Sequence, residues 1–327
     1  DRRVRDVGHH PGVVHEVEGR RAPREPGRLG DHPAQARRPV DGGHLGHQAM
    51  LQRLREAALA HGLPSAVLTF EPHPREFFSP ADAPARLTSL REKLELFRAH
   101  GIDQVHVARF DRAYASMSPQ QFIDDLLVKN LKIRWLLIGD DFRYGAQRGG
   151  DFALLKQAAT HLGFALESMG SIEIAGERVS STGVRDALAA ADFARAARLL
   201  GRPYCIGGRV AHGKKLGREL GFPTANIALK RKRAPLNGIY AVKLHGIEAK
   251  PLPAVASLGV RPTVLDGAAP LLEIHVLDFN QNIYGRRVSV AFLHKLRDEE
   301  KYPDLESLRR QIAIDVENAR TYLNSNL

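Results

Sequence analysis

Two histidines frame a leucine and a glycine in the stretch HLGH, His44 to His47. If a helix starts there, its first N–H groups lack intrahelical partners and form a ready anion site. Gly46 lets a phosphate approach the backbone. Imidazoles at His44 and His47 can donate hydrogen bonds to phosphate oxygens as negative charge builds in a transition state. Two idle histidines on a surface loop would leave the same four letters. A second string, SSTGVR at residues 180–185, sets Ser180, Ser181 and Thr182 ahead of a glycine and Arg185. Hydroxyls, helix N–H groups and a guanidinium make a second phosphate clamp. An ordinary helix cap is the plainer alternative.

These residues need elements to aim them. From about residue 47 the chain alternates between helical and strand patterns. HQAMLQRLREAALAHG has a helical period, SAVLTF is a short apolar strand, and LTSLREKLELFRAHG is a helix closed by Gly101. QVHVARF is a strand, SPQQFIDDLLVKNL a helix with Ser118 as N-cap and Pro119 at its first position, and IRWLLIGDDF a strand running into a loop. Strands alternating with helices of this length predict an α/β domain with a parallel, doubly wound sheet. Ligands of such sheets sit outside the carboxyl ends of the strands, where TFEPHP (69–74) and GDDFRYG (139–145) fall. VRDALAAADFARAARLLGRP reads as a helical connector. Beyond residue 203 short strands separated by Gly, Pro and Asn turns predict a small all-β barrel, and DLESLRRQIAIDVENARTYL closes the chain as an amphipathic helix.

The chain has 327 residues, enough for two domains, and no apolar run long enough to span a bilayer. Its single cysteine, Cys205, permits no internal disulfide and suits a reducing cytoplasm. The net charge is +11, yet after residue 39 the basic residues share helices with Asp and Glu, as solvated faces do. Aromatic residues are not interleaved with them as a nucleic-acid stacking platform requires. Residues 1–39 differ: nine Arg, no Lys, five Pro, four His and one Leu follow no helical or strand period. Such a segment cannot bury enough apolar surface to order itself. A basic arm would have this charge, but a GC-rich gene read out of frame accounts better for the Lys-free mixture.

HxGH early and SSTxxR late in one α/β domain resemble the nucleotidylyltransferase superfamily. With TFEPHP and GDDFRYG, they resemble the adenylyltransferase module of bacterial bifunctional riboflavin kinase/FMN adenylyltransferases, also called FAD synthetases. The resemblance continues through GKKLGRELGFPTANI (213–227), NGIYAV, SLGVRPT, LLEIHVLDFNQNIYG and LRDEEKYPDLESLRRQIAIDVENA, in the family's order, and covers roughly residues 40–325. It implies a Rossmann-like adenylyltransferase domain over 40–186, a helical linker over 187–202 and a riboflavin kinase domain over 203–327. It implies FMN from riboflavin and ATP, then FAD from FMN and ATP, with Mg²⁺ accompanying ATP. In the kinase half, Thr224 and Asn226 offer the hard oxygens that Mg²⁺ prefers. Gly213, Gly217, Gly221 and Pro223 shape the phosphate loop, and Lys215 and Arg218 add charge. Glu273 is the expected acceptor of the riboflavin 5′-hydroxyl proton. Asp140 and Phe142 are expected flavin contacts and Arg297 a flavin or phosphate contact, while the plainer role for Tyr302 is packing against the last helix. In the adenylyl-transfer half the attacking FMN phosphate is already anionic, so His44, His47, Ser181, Thr182 and Arg185 need only position and stabilise charge. The expected partners are small molecules, with no nucleic acid or membrane, on a monomer or weak homo-oligomer.

The family reads GxFDGxHxGH after an apolar strand; here the aligned residues are RPVDGGHLGH. Asp41, Gly42, His44, Gly46 and His47 match, while Arg38 and Val40 replace the first Gly and the Phe. Pro33 and Pro39 could not serve a central strand, because each lacks a ladder donor. The leading expectation is the bifunctional enzyme, with adenylyltransferase activity weak or absent in this chain and kinase activity kept; the second reading is a riboflavin kinase with a non-functional N-terminal module. A class I synthetase-like or nucleic-acid-binding protein, where HxGH also occurs, is a distant third, since SSTGVR and a barrel replace the expected lysine loop and tRNA-binding domain. Reading the other frames upstream of codon 40 is expected to restore an apolar strand; no such strand in any frame would refute the frame-shift reading.

Overall fold

The computed structural model describes residues 43–213, 216–229, 231, 233–260 and 270–325. The expectations for residues 1–39, for Asp41 and Gly42 and for Lys215 lie outside the described residues. The described chain forms two compact units: one holds Gly46–Pro84 and Leu94–Arg178, the other residues 43–45, Ala85–Lys93 and the chain from Val179 onward.

The elements before Val179 run α1 (Leu45–Ala60), β1 (Ala66–Glu71), α2 (Pro74–Phe78), α3 (Leu90–Ala99), β2 (Gln104–Arg109), α4 (Arg112–Ala115) and α5 (Pro119–Gln121). A π-helix (Phe122–Asn130), β3 (Trp135–Gly139), α6 (Phe152–Leu162), β4 (Ala165–Met169) and a small hairpin of β5 (Glu173–Ile174) and β6 (Glu177–Arg178) follow. The expected N-cap is present: Ser118 accepts from the Gln121 N–H while the Gln121 side chain accepts from the Ser118 N–H, a reciprocal capping box. The helix it opens widens after one turn, with the Leu131 N–H donating to the Leu126 carbonyl five residues back. The sequence pattern reads it as one uniform helix, since π and α turns bury the same apolar positions over so short a run.

β1 pairs in parallel with β2, and β3 in parallel with β4. Among the described residues these stand as two separate two-stranded sheets rather than one continuous one. They share a core nonetheless. Leu68 of β1, Ala108 of β2 and Leu136 and Ile138 of β3 pack with Phe122, Leu126 and Leu127 of the π-helix and Leu155 of α6.

In the second unit, the helical connector stretch holds two helices, α7 (Ser181–Ala189) and α8 (Phe193–Leu200). The break follows from Asp192, whose side chain accepts from the Arg195 N–H and caps a new helix. The barrel strands are β7 (Cys205–Ala211), β8 (Ala225–Ala228), β9 (Gly238–His245), β10 (Leu252–Val260), β11 (Pro270–Val276) and β12 (Arg287–Arg297), with α9 (Leu216–Glu219) between β7 and β8. They close in the order β10-β11-β8-β7-β12-β9, every pair antiparallel. Alternation sorts the side chains: Leu272 and Ile274 of β11, Ile227 of β8 and Ala254, Ala256 and Leu258 of β10 are fully buried. Residues of the opposite parity face outward, where α10 (Leu305–Ser325) covers Ile239, Ala241 and Val255 with Val316, Ala319 and Leu323.

Segment Ala85–Lys93 is tied to this barrel by one buried cation. Arg231 donates to the carbonyls of Arg86 and Leu87 at 3.0 and 3.1 Å and pairs with Glu92 at 3.4 Å, both side chains being under a tenth exposed. Glu92 in turn accepts from the Gly207 N–H at 2.7 Å and from the Ser89 N–H at 2.6 Å. Removing one partner of such a pair leaves a buried charge uncompensated. Arg231→Met is expected to cost about 3–5 kcal/mol of barrel stability, read as a lowered urea midpoint. The double variant Arg231→Met with Glu92→Leu should recover most of that loss.

Candidate functional site

The N-terminal end of α7 is built as its sequence suggests, with one refinement. Ser180 is the N-cap and its hydroxyl oxygen accepts from the Gly183 N–H at 3.0 Å. The helix-cap reading of SSTGVR is present: one helix N–H is spent on the cap, and Ser181 and the exposed Thr182 carry the rest of the first turn. Arg185 follows one turn on, its Nε donating to the Ala85 carbonyl at 2.7 Å.

His44 belongs to the same unit and is 7% exposed. Leu45 beside it packs onto Gly201, where a Cβ would come within 2.7 Å of a Leu45 methyl and where φ is +69°. A larger residue there would meet both a clash and a left-handed backbone. Burial, helped by the positive charge of Arg185, pulls the His44 pKa down to about 4. At neutral pH the ring is uncharged and can offer an N–H as a hydrogen-bond donor, not a fixed cation. Gly46, His47, Asp140 and Phe142 lie in the other unit. His47 is exposed on the first turn of α1, and Asp140 is exposed just beyond β3. Phe142 is less open than the sequence suggests: its ring stacks on Tyr144 at 5.7 Å and packs against Phe122 at 6.5 Å.

A cavity of about 750 Å³ lies on the outer barrel wall, between the outward residues of β10 and β11, segment 297–302 and α10. Gly217, Thr224, Glu273 and Arg297 all line it. The ladder sets Glu273 opposite Asn226 on one side and opposite Ser257 on the other. Residues directly opposite share a face of the sheet. Asn226 is 5% exposed, and its buried side-chain oxygen has no hydrogen-bond partner. A Cβ at Gly213 would collide with that amide, so only glycine lets the loop close over it. Gly221 adopts φ +90°, and Pro223 presents its carbonyl to Nδ1 of His275 at 3.0 Å. Arg218 is exposed on α9.

Arg297 lines the cavity, but its fork is occupied. Nε and one terminal nitrogen donate to the two oxygens of Asp315 at 2.8 and 2.7 Å, and Asp315 is 3% exposed. The pair holds α10 against the strand end that carries segment 297–302. Tyr302 packs under the Arg297 guanidinium at 5.7 Å, and its hydroxyl donates to Glu300 at 3.0 Å. Ser257, Glu299 and Asp315 are cavity residues that sequence reasoning missed. Only the acidic run after Arg297 in LRDEEKY signalled that carboxylates would gather there.

A nucleotidyltransferase-like α/β domain with parallel strands, then a closed antiparallel barrel with a carboxylate-bearing cavity and a C-terminal helix, defines a two-module, nucleotide-using transferase. Residues 40–183 match the family model described as FAD synthetase, and residues 200–323 the one described as riboflavin kinase. A bifunctional riboflavin kinase/FMN adenylyltransferase of Escherichia coli (strain K12) is 48% identical over 86% of this chain and 90% of its own length. One from Pseudomonas fluorescens is 49% identical over 86% and 89%. A solved structure named as a macrolide-efflux protein from Streptococcus pneumoniae superposes with a TM-score of 0.69 at 28% identity, over 89% of this chain and 95% of that one. The chain belongs to the bifunctional riboflavin kinase/FMN adenylyltransferase family. Among the described residues no helix is long and apolar enough to cross a membrane.

The depressed His44 pKa has a consequence for stability. Unfolded, the ring takes up a proton below about pH 6.5; folded, it stays neutral until about 4. Stability attributable to His44 is therefore complete above 6.5 and is lost as pH falls toward 4. The urea midpoint of the native chain should drop between pH 7 and 4.5 by more than that of His44→Gln; equal drops would contradict the assignment.

Proposed function

We propose that the chain makes FMN from riboflavin and ATP in the barrel unit and FAD from FMN and ATP in the nucleotidyltransferase-like module. The observation that carries the kinase assignment is the β8–β11 register, which sets a buried, unpartnered Asn226 oxygen opposite Glu273, itself a cavity-lining residue. The match of both halves to family models, and the naming of the relatives as bifunctional, favour two activities over kinase activity alone.

In the kinase step Glu273 accepts the proton of the riboflavin 5′-hydroxyl as its oxygen bonds to the γ-phosphorus of ATP, and ADP leaves. Thr224 and Asn226 would hold Mg²⁺, which neutralises charge on the ATP phosphates when bound. A buried amide oxygen with no protein donor fits a hard cation. Gly213, Gly217, Gly221 and Pro223 let the loop approach the phosphates, with Lys215 and Arg218 as its cations. In adenylyl transfer an FMN phosphate oxygen bonds to the α-phosphorus of ATP and pyrophosphate leaves. There Gly46, His44, His47, Ser180, Ser181, Thr182 and Arg185 cradle and stabilise phosphates, and Asp140 and Phe142 bound the flavin. Neutral His44 does this as a hydrogen-bond donor. Arg297 supports the kinase's flavin cavity through its hold on Asp315. The domain limits we adopt are 40–186 and 203–327, joined by 187–202. We place the enzyme in the cytoplasm, as a monomer or weak homo-oligomer acting on small molecules and not on nucleic acid.

Glu273→Gln is expected to slow FMN formation roughly 100- to 10,000-fold, the range for a lost general base. FAD formation from supplied FMN should stay within about two-fold. Chromatographic separation of FMN from FAD reads both; parallel loss of the two products would refute separate sites.

A further inference from the structure

Segment 298–300 carries three consecutive acids with three different fates. Asp298 pairs with Lys295 at 2.5 Å, and Glu300 accepts from the Tyr302 hydroxyl at 3.0 Å. Glu299 instead lies back on the cavity wall, over Gly259 of β10. A Cβ at Gly259 would collide with both Glu299 carboxylate oxygens, so the missing side chain is the seat of that carboxylate. Gly259 is two residues beyond Ser257, hence on the same outward face. The Ser257 hydroxyl donates to Glu299 Oε1 at 3.4 Å. Ser257 stands opposite Glu273, so Glu273, Ser257 and Glu299 form a row along one wall.

Among the described residues this row has no ion pair to Glu299. Arg297, two residues before it, is committed to Asp315. Burial raises the proton affinity of Glu299, as does the nearby charge of Glu273, while the Ser257 hydrogen bond and the charge of Arg297 lower it. The other ionisable groups on the cavity are His275 from β11, Lys301, Tyr302 and Glu300 from the segment after β12, and Asp315 from α10. An ionised carboxyl has about four acceptor sites, and one long bond from Ser257 fills only one. Glu299 is exposed toward the cavity, so its remaining acceptor sites are open to hydroxyl donors there. A chain of vicinal hydroxyls supplies donors at that spacing.

We propose that Glu299 is a flavin-binding residue: its carboxylate accepts hydrogen bonds from the secondary hydroxyls of the ribityl chain, while Glu273 faces the terminal one. The Glu273–Ser257–Glu299 row is then a ruler for polyhydroxylated flavins. This rests on the kinase reading above.

The test is flavin binding, followed by fluorescence quenching of the full chain at fixed pH. Two probes are compared: riboflavin, and 7,8-dimethyl-10-(5-hydroxypentyl)isoalloxazine, which keeps only the terminal hydroxyl. Glu299→Ala should weaken riboflavin roughly 10- to 100-fold, the worth of one or two charge-assisted hydrogen bonds, and the analogue by less than two-fold. Gly259→Ala, which displaces the carboxylate without removing it, should reproduce the pattern. In turnover, the KM for riboflavin should rise in both variants while that for ATP stays within two-fold. Equal weakening of both probes, or unchanged or tighter riboflavin binding in Glu299→Ala, would overturn the proposal. A native chain that binds neither flavin would sink the kinase reading itself, a distinct outcome from a native chain that binds both probes equally.

Discussion

The barrel site depends on one constraint, the antiparallel register of β8 and β11. It places Asn226 opposite Glu273, and side chains at opposed positions share a face. A slip of β8 by one residue would turn Ile227 outward and carry the Asn226 amide into the barrel interior, away from Glu273. The register is held by that interior, since Ile227, Leu272 and Ile274 are fully buried. Core packing, not the chemistry of the site, therefore fixes where the Asn226 amide and the Glu273 carboxylate meet. The next strand extends the pattern: β10 sets Ser257 opposite Glu273 on its other flank.

A second device closes the cavity. The Arg297–Asp315 pair joins the end of β12 to α10, and Gln311 donates to the same carboxylate at 3.1 Å. With its lone pairs so occupied, Asp315 can remain buried at modest cost. Arg231 does comparable work for Ala85–Lys93, holding that segment to the barrel through Glu92 and two carbonyls.

Much of this was legible in the sequence. LLEIHV alternates, so Glu273 had to face away from Leu272 and Ile274. SSTGVR does begin a helix with Ser180 as its cap, and Ser118 caps the helix it was expected to cap. What stayed hidden depends on partners distant in the chain. Nothing near Arg297 in the sequence signals that Asp315, eighteen residues on, pairs with its fork. Glu299 has no recognisable pattern, because its seat is the missing Cβ of Gly259 on another strand. The same holds for Arg231 and Glu92, which are 139 residues apart. The turn from α to π geometry after Gln121 changes hydrogen-bond partners but not the apolar period, so periodicity could not reveal it.

The central claim is that two modules attack two different phosphorus atoms of ATP. Riboflavin incubated with ATP labelled at the γ- or the α-phosphate tests it directly. The account expects γ-label in FMN and retained in FAD, and α-label in FAD alone. FMN that carries α-label, or that forms without γ-label, would contradict it.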